Sequence, residues 1–255
     1  MKNKILLFQE LFYEKDKKRL EEYIFCINKN LENQNIEKLY FFYDKNDEIK
    51  EKIKDIEKKF CNLDKIIYVE NENERLTFNY LFNYINKNIE QDKIIAITNL
   101  DIFLSEEENW TTLRTDLFDY TNNKVCLTLA RYEYINEKQI YKENKSWLRG
   151  EFCDSWIFKT PLKIESSDFH LTIPVGNAPS CDNHIWKVLK NKYTIINWAE
   201  KYKTYHYDYV RKPEKIKNIH NTIIKNDKTV SLPSECFNIT PYKNWEEIIA
   251  KLKAE

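Results

Sequence analysis

Residues 94–101, Ile94-Ile95-Ala96-Ile97-Thr98-Asn99-Leu100-Asp101, decide how this chain is read. The first five are apolar or β-branched without alternation, as required of a strand buried on both faces of a sheet. Such a strand belongs at the centre of a mostly parallel sheet with helices on both sides. Upstream, Lys4–Phe8, Leu39–Tyr43 and Ile66–Val69 read as further strands. Lys17–Asn30, Glu48–Phe60 and Leu76–Ile89 carry apolar residues at helical spacing between them, and this alternation marks βαβ units. Downstream, a helical stretch near Asn109–Tyr120 precedes strands at Val125–Ala130 and Ser155–Phe158, a helix over Asp182–Lys190 and a last short strand at Thr194–Asn197. The expectation is one α/β domain over residues 1–255, with a core to about 211 and a C-terminal wrap from about 212.

Composition narrows the function. With 255 residues and 42% apolar content the chain can fill a substantial core. Its 41 basic and 41 acidic side chains cancel, so no excess positive field draws a polyanion, and nucleic acid is not an expected partner. The apolar run after Met1-Lys2-Asn3-Lys4 stops at Phe8, short of a signal-peptide core, and no stretch approaches the roughly 20 apolar residues of a membrane span. Six scattered cysteines without a C-x-x-C pair suggest reduced thiols in a cytoplasmic compartment. Only Gly150 and Gly176 are present, which excludes the glycine-rich phosphate loops of Rossmann and P-loop proteins. A phosphorylated ligand would need a metal ion or basic side chains to answer its charge.

Ligands of open α/β sheets bind beyond the carboxyl ends of the strands. Asn99 and Asp101 stand there, and in extended chain positions i and i+2 share a side, so the pair can offer an amide oxygen and a carboxylate to Mg²⁺ or Mn²⁺. The plainer alternative is a strand end and turn, which these residue types also favour. Asp182, behind the irregular loop Pro174–Ser180, is suited either to cap its helix or to take a proton from an acceptor hydroxyl. Asp154, beside Trp156-Ile157-Phe158, is its rival for that role, or a ligand for sugar hydroxyls. His206 lies among Tyr202, Tyr205, Tyr207 and Tyr209, where a packed histidine is the commoner case.

Taken together the motifs bring a family into view. Ile97-Thr98-Asn99-Leu100-Asp101-Ile102-Phe103 resembles the N-A-D-I-Y-F version of the DxD motif of GT-A-type glycosyltransferases, a group that includes the amino-terminal domain of a chlorella virus capsid glycosyltransferase. Cys153-Asp154-Ser155-Trp156-Ile157-Phe158 resembles that group's S-Q-D-S-W-I-F, Cys181-Asp182-Asn183 its G-C-D-N, and Thr204-Tyr205-His206-Tyr207 with Arg211 its closing Y-H-x-H … R. Arg19 with Glu22 and Arg75 with Tyr80 fall in the same order, so the resemblance runs from about Leu6 to Arg211.

The resemblance implies a nucleotide-sugar fold in which Asp101 holds a Mn²⁺ or Mg²⁺ ion and His206 completes the coordination. It places the nucleotide near Gln9, Glu10 and Phe12, with Arg75, Asn99 and Arg211 nearby. The donor would be a nucleotide sugar, a UDP-sugar ahead of a GDP-sugar, and the acceptor a glycan or glycoprotein. Where the group has an acid, a Gln and another glycine, this chain has Asn99, Cys153 and Ala178-Pro179-Ser180, which leaves acceptor identity open. Two other classes compete. A metal-dependent nucleotidyltransferase would use the same strand-end carboxylate but normally carries a glycine-rich amino-terminal loop. A non-catalytic carbohydrate-binding domain would stack sugars on Trp147, Trp156, Trp186 or Trp198, although filling the core is the more usual role of such residues.

Overall fold

Along Ile5–Glu10 successive side chains go to opposite sides of one sheet, Ile5 and Leu7 into one apolar cluster and Leu6 and Phe8 into another. The residues of Ile94–Thr98 divide in the same way, with Ile94 and Ala96 on one side and Ile95 and Ile97 on the other. A strand with two apolar faces has to be covered twice, and a three-layer arrangement follows from that requirement. The computed structural model describes residues 4–71, 75–135, 138–140, 153–169, 172–175, 181–207, 222–225, 228–231 and 244–254.

The chain begins β1 (Ile5–Glu10), α1 (Lys17–Glu32), β2 (Ile36–Asp44), α2 (Asp47–Glu57), β3 (Ile66–Asn71), α3 (Phe78–Asn88) and β4 (Ile94–Thr98). It continues with β5 (Ile102–Leu104), β6 (Val125–Ala130), β7 (Tyr132–Ile135), β8 (Lys138–Ile140) and β9 (Cys153–Lys159). Then come α4 (Cys181–Leu189), β10 (Thr194–Asn197), β11 (Thr204–His206), the hairpin β12 (Thr222–Lys225) and β13 (Lys228–Ser231), and α5 (Trp245–Ala254).

Seven strands form the central sheet in the order β10-β6-β9-β4-β1-β2-β3, all parallel except β9, which runs antiparallel between β4 and β6. This is the mostly parallel α/β sheet read from the sequence. Buried residues of α1, α2 and α5 join one apolar cluster, those of α3 and α4 the other, so helices cover both faces. The helix starts follow local chemistry: Asp16 accepts from the Lys18 and Arg19 amides, Asn46 from Glu48 and Thr77 from Tyr80. The stretch near Asn109–Tyr120 is a 3₁₀ turn at Trp110–Thr112 followed by a π-helical segment, Arg114–Asp119.

A second sheet of order β5-β11-β7-β8 has no counterpart in the sequence reading. Its strands have three or four residues each, too few for a period of two to show. The outer side of β5 meets α1 through Asn30, which donates to the Ile102 carbonyl at 2.9 Å and accepts from the Leu104 amide at 3.0 Å. Asn33 donates to the Leu104 and Ser105 carbonyls. Two asparagines of a helix therefore satisfy an edge that a neighbouring strand would otherwise satisfy.

Packing is dense between the sheet and α3. Phe82 is 1% exposed and its ring centre lies 5.6 Å from Phe158 and 5.8 Å from both Phe78 and Phe169. Truncating a buried phenylalanine costs about 3–5 kcal/mol through lost transfer energy and the cavity left behind. Phe82→Ala is therefore expected to lower the unfolding free energy from urea denaturation by that amount, moving the midpoint with an unchanged slope, and a loss below about 1 kcal/mol would contradict the packing described.

Candidate functional site

The carboxyl ends of the parallel strands line one edge of the central sheet, and the chain's buried charge collects there. β9 runs the other way, so its beginning lies at the same edge, with Ser155 opposite Thr98 and Cys153 opposite Ala130. Asp154 therefore lies inside a seven-residue strand. Asp101 follows β4, Arg131 links β6 to β7, Asp182 is in the first turn of α4, and His206 ends β11.

Asp101 is 7% exposed, and its Oδ2 lies 2.5 Å from Arg19 Nη2 and 3.3 Å from His206 Nε2. Burial pushes this carboxyl up, but His206, Arg19 and Arg131 together hold it well below the usual carboxylate range. Arg19 also reaches Glu22 at 2.6 Å and Tyr23 Oη at 3.1 Å, so the i,i+3 pair legible in the sequence is one part of a larger contact. On its far side the His206 ring meets Glu133 Oε2 at 2.9 Å through Nδ1. Burial and Arg131 lower the His206 pKa, yet Asp101 and Glu133 outweigh them and raise it.

Glu133 contacts Arg131, whose Nε lies 3.4 Å from Glu133 Oε1, and Arg131 Nη1 pairs with Asp154. The charge of Asp154 in turn acts on Asp182. Burial, and then the Asp154 charge, push the Asp182 carboxyl up to about 8 against the opposing pull of Cys181 and Arg131. Two carboxyl groups in contact cannot both ionise cheaply, so one proton stays with the pair near neutral pH.

The proposed cation fits this frame under one condition. Asp101 Oδ1 is buried without a hydrogen-bond partner among the described residues, and the His206 nitrogen faces the same carboxylate with Glu133 behind the ring. A carboxylate behind a histidine is the usual support of a metal ligand. Among the described residues no group of three or more His, Cys, Asp or Glu side chains is placed to hold a metal. Asp101 and His206 therefore suit an ion that takes its remaining ligands from a diphosphate and water, as Mg²⁺ and Mn²⁺ commonly do. Asp101 and Glu133 favour the protonated ring, so such an ion would compete with a proton for His206.

Gln9 and Glu10 are the last two residues of β1, two positions beyond the strand end expected from sequence. Gln9 donates to Thr98 Oγ1 at 2.9 Å and to the Asn99 carbonyl at 2.8 Å, tying β1 to the turn that carries Asp101. Glu10 accepts from the Leu76 amide at 2.7 Å and pairs with Arg75 at 2.8 Å. The Arg75 guanidinium in turn sits 5.4 Å from the centre of the half-buried Phe12 ring. Glu10, Phe12 and Arg75 are thus brought together and Gln9 is tied to the Asn99 backbone, while Arg211 lies outside the described residues. His184, on α4, has a buried Nε2 without a hydrogen-bond partner among the described residues. Sequence reasoning missed Arg131 and Glu133 entirely. A lone arginine between two strands gives no periodic or motif signal, and only the fold shows what it joins.

No family model and no curated protein matches the chain. Among solved structures it is similar to residues 1–349 of S. aureus TarS, at 14% identity and TM-score 0.47, over 80% of this chain and 60% of that one. A mannosyltransferase from Pyrobaculum calidifontis, in complex with GDP-Man and Mn²⁺, gives 13% identity and TM-score 0.48 over 82% and 58%. The 4-diphosphocytidyl-2C-methyl-D-erythritol synthase of Anaerococcus prevotii gives 12% and 0.40 over 86% and 97%. The chain thus spans about three fifths of the first two structures. Likenesses this remote carry no chemistry across, and the site has to be read from its own residues.

Glu10 gives the site a measurable signature. Burial, opposed by Arg75 and the Leu76 amide, holds its pKa up at about 7 from 4.5. Between those values the folded chain keeps a proton that the unfolded chain has lost, so this group's contribution to stability is complete below pH 4.5 and is lost by about pH 7. The loss approaches about 1.4 kcal/mol per pH unit in the middle of that window. Glu10→Gln is expected to flatten the fall of stability with pH, measured by urea denaturation at pH 5, 6 and 7. An unchanged slope would show that Glu10 does not carry it.

Proposed function

We propose that this chain is a GT-A-type glycosyltransferase that moves a sugar from a nucleotide-sugar donor to a hydroxyl of a glycan or glycoprotein. The observation that carries the reading is the pairing at one sheet edge of two different devices. Asp101 and His206 offer an open carboxylate oxygen and an imidazole nitrogen to a cation on a diphosphate. Asp154 and Asp182 offer a proton-holding carboxyl pair, with Arg131 between the two devices. Asp101 and His206 would hold a Mn²⁺ or Mg²⁺ ion, whose charge would offset that of the departing nucleotide diphosphate.

The residues of the chain divide the remaining work. Gln9, Glu10, Phe12 and Arg75 form the nucleotide end, where Arg75 has both a charge for a phosphate and a planar face for a base. UDP-sugars are the first donors to try and GDP-sugars the second, with Arg211 assigned to the same end from the sequence resemblance. Asp182 is the base: it accepts the acceptor's hydroxyl proton as that oxygen bonds to the anomeric carbon and the carbon–phosphate-oxygen bond breaks, its electron pair leaving with the nucleotide diphosphate. A single displacement of this kind inverts the anomeric centre. Asp154 keeps its place beside Arg131 and holds the base in position.

Thermal unfolding with UDP and GDP tests the donor side. A ligand at one hundred times its Kd stabilises by about 2.7 kcal/mol, and the shift is expected only when Mn²⁺ or Mg²⁺ is also present. Asp101→Ala should abolish the metal-dependent part, from a lower starting Tm because Arg19 and His206 lose their buried partner. A nucleotide shift independent of metal, or retained in this variant, would remove Asp101 from the site.

Release of nucleotide from UDP- and GDP-hexoses tests the chemistry. Asp182→Asn should lower the rate by at least about a hundredfold, within the range general-base catalysis contributes, while the nucleotide-induced thermal shift persists. The wild-type rate should climb with pH and level off above about 8, because the base works only after losing its proton. A rate flat from pH 6 to 9 would assign the proton transfer elsewhere.

A further inference from the structure

Arg131 is the one residue between the last residue of β6 in the central sheet and the first residue of β7 in the second sheet. Its side chain is only 17% exposed, and it reaches both ways. Toward the central sheet Nη1 pairs with Asp154 on β9. Toward the second sheet Nε lies 3.4 Å from Glu133 on β7, whose other oxygen meets the His206 ring on β11 at 2.9 Å. The Nε contact with Glu133 is an ion pair without a hydrogen bond, so one planar guanidinium spans both acids, by a paired Nη1 on one side and by its buried charge on the other.

We infer that Arg131 is a positioning residue that sets the proton acceptor and the diphosphate-facing imidazole as one unit. Its Nη1 holds Asp154, which acts on Asp182, and its charge holds Glu133 behind His206. What the two ends do for catalysis rests on the transferase reading; that they are held by one side chain does not. Among the described residues the groups acting on Asp182 are Asp154, Arg131 and the Cys181 thiol, with Cys181 Sγ 3.5 Å from Asp182 Oδ1. Arg131 supplies the only positive charge among these three, so its loss leaves Asp154 uncompensated and tightens the hold of the pair on its shared proton.

Two variants separate the fork from the charge. Arg131→Lys retains a positive charge but not two rigidly related contacts, and Arg131→Met removes both. Carboxyl ¹³C NMR of aspartate-labelled protein, with Asp182 assigned through Asp182→Asn, follows the pair directly and needs no donor. In Arg131→Met the Asp182 titration should move up by about one pH unit or more. In Arg131→Lys it should move less, while the His206 ring signals lose their wild-type positions in both variants. If a UDP- or GDP-hexose is turned over, the rising limb of its pH profile should move in step, a loss of about tenfold at pH 7 for each unit.

Phe82→Ala, destabilised but remote from this edge, should move neither signal, which separates positioning from general loss of stability. Should Arg131→Met be too unstable to titrate, Arg131→Lys alone decides the matter through the His206 ring. The inference is overturned if Asp182 titrates as in the wild type without Arg131, or if the His206 signals stay in place in Arg131→Lys. If both move and no nucleotide sugar is ever turned over, the transferase reading fails and the role of Arg131 stands.

Discussion

Charge withdrawn from water has to be answered by opposite charge, and much of this molecule is arranged around that constraint. Glu22, Arg19, Asp101, His206, Glu133, Arg131, Asp154 and Asp182 contact one another in sequence, from helix α1 across the second sheet to the start of α4. Acidic and basic side chains alternate along the line until the two aspartates, where burial and the Asp154 charge favour the protonated form of Asp182. Removing one partner from a buried pair typically costs 3–5 kcal/mol because the other is left unanswered. The line therefore constrains the elements that contribute to it, and holds in place Asp101 and Arg131, which lie between strands.

The two sheets owe their separate roles to this arrangement. The central sheet provides a floor of parallel strand ends and, through antiparallel β9, brings Asp154 to the same edge. The short second sheet provides His206 and Glu133. Apolar packing holds each layer, with aromatic contacts among Phe103, Tyr132, Tyr134 and Tyr205 behind the second sheet. A short sheet of this size is marginal by itself, and its position depends on β5 being tied to α1 and on the polar line across its other face.

Much of the central sheet was legible in the sequence because Ile94–Thr98 and the helices around it obey strong periodicities. Asp101 and His206 were paired by motif resemblance, and the fold sets them 3.3 Å apart. Gln9, Glu10, Phe12 and Arg75 were grouped in the same way; Arg75 meets Glu10 and Phe12, and Gln9 meets Thr98 and the Asn99 backbone instead. What escaped was anything that depends on two distant segments meeting. Strands of three residues carry no period, Arg131 is ordinary until its two acids are located, and Arg19 gave its i,i+3 partner in the sequence but not Asp101, 82 residues away. Asp182 was left between capping its helix and acting as a base. Its contact with Asp154 gives a physical reason to favour the second role, which local sequence could not supply.

The asparagines of α1 have a further consequence. A short outer strand with idle amides and carbonyls invites a foreign strand to continue the ladder, and proteins guard such borders with charge, bulges or covering segments. Here Asn30 and Asn33 occupy the outward hydrogen-bonding positions at Ile102, Leu104 and Ser105 from a helix that cannot itself be extended sideways. The border of the small sheet is sealed by side chains, so a second molecule finds no template there on which to polymerise.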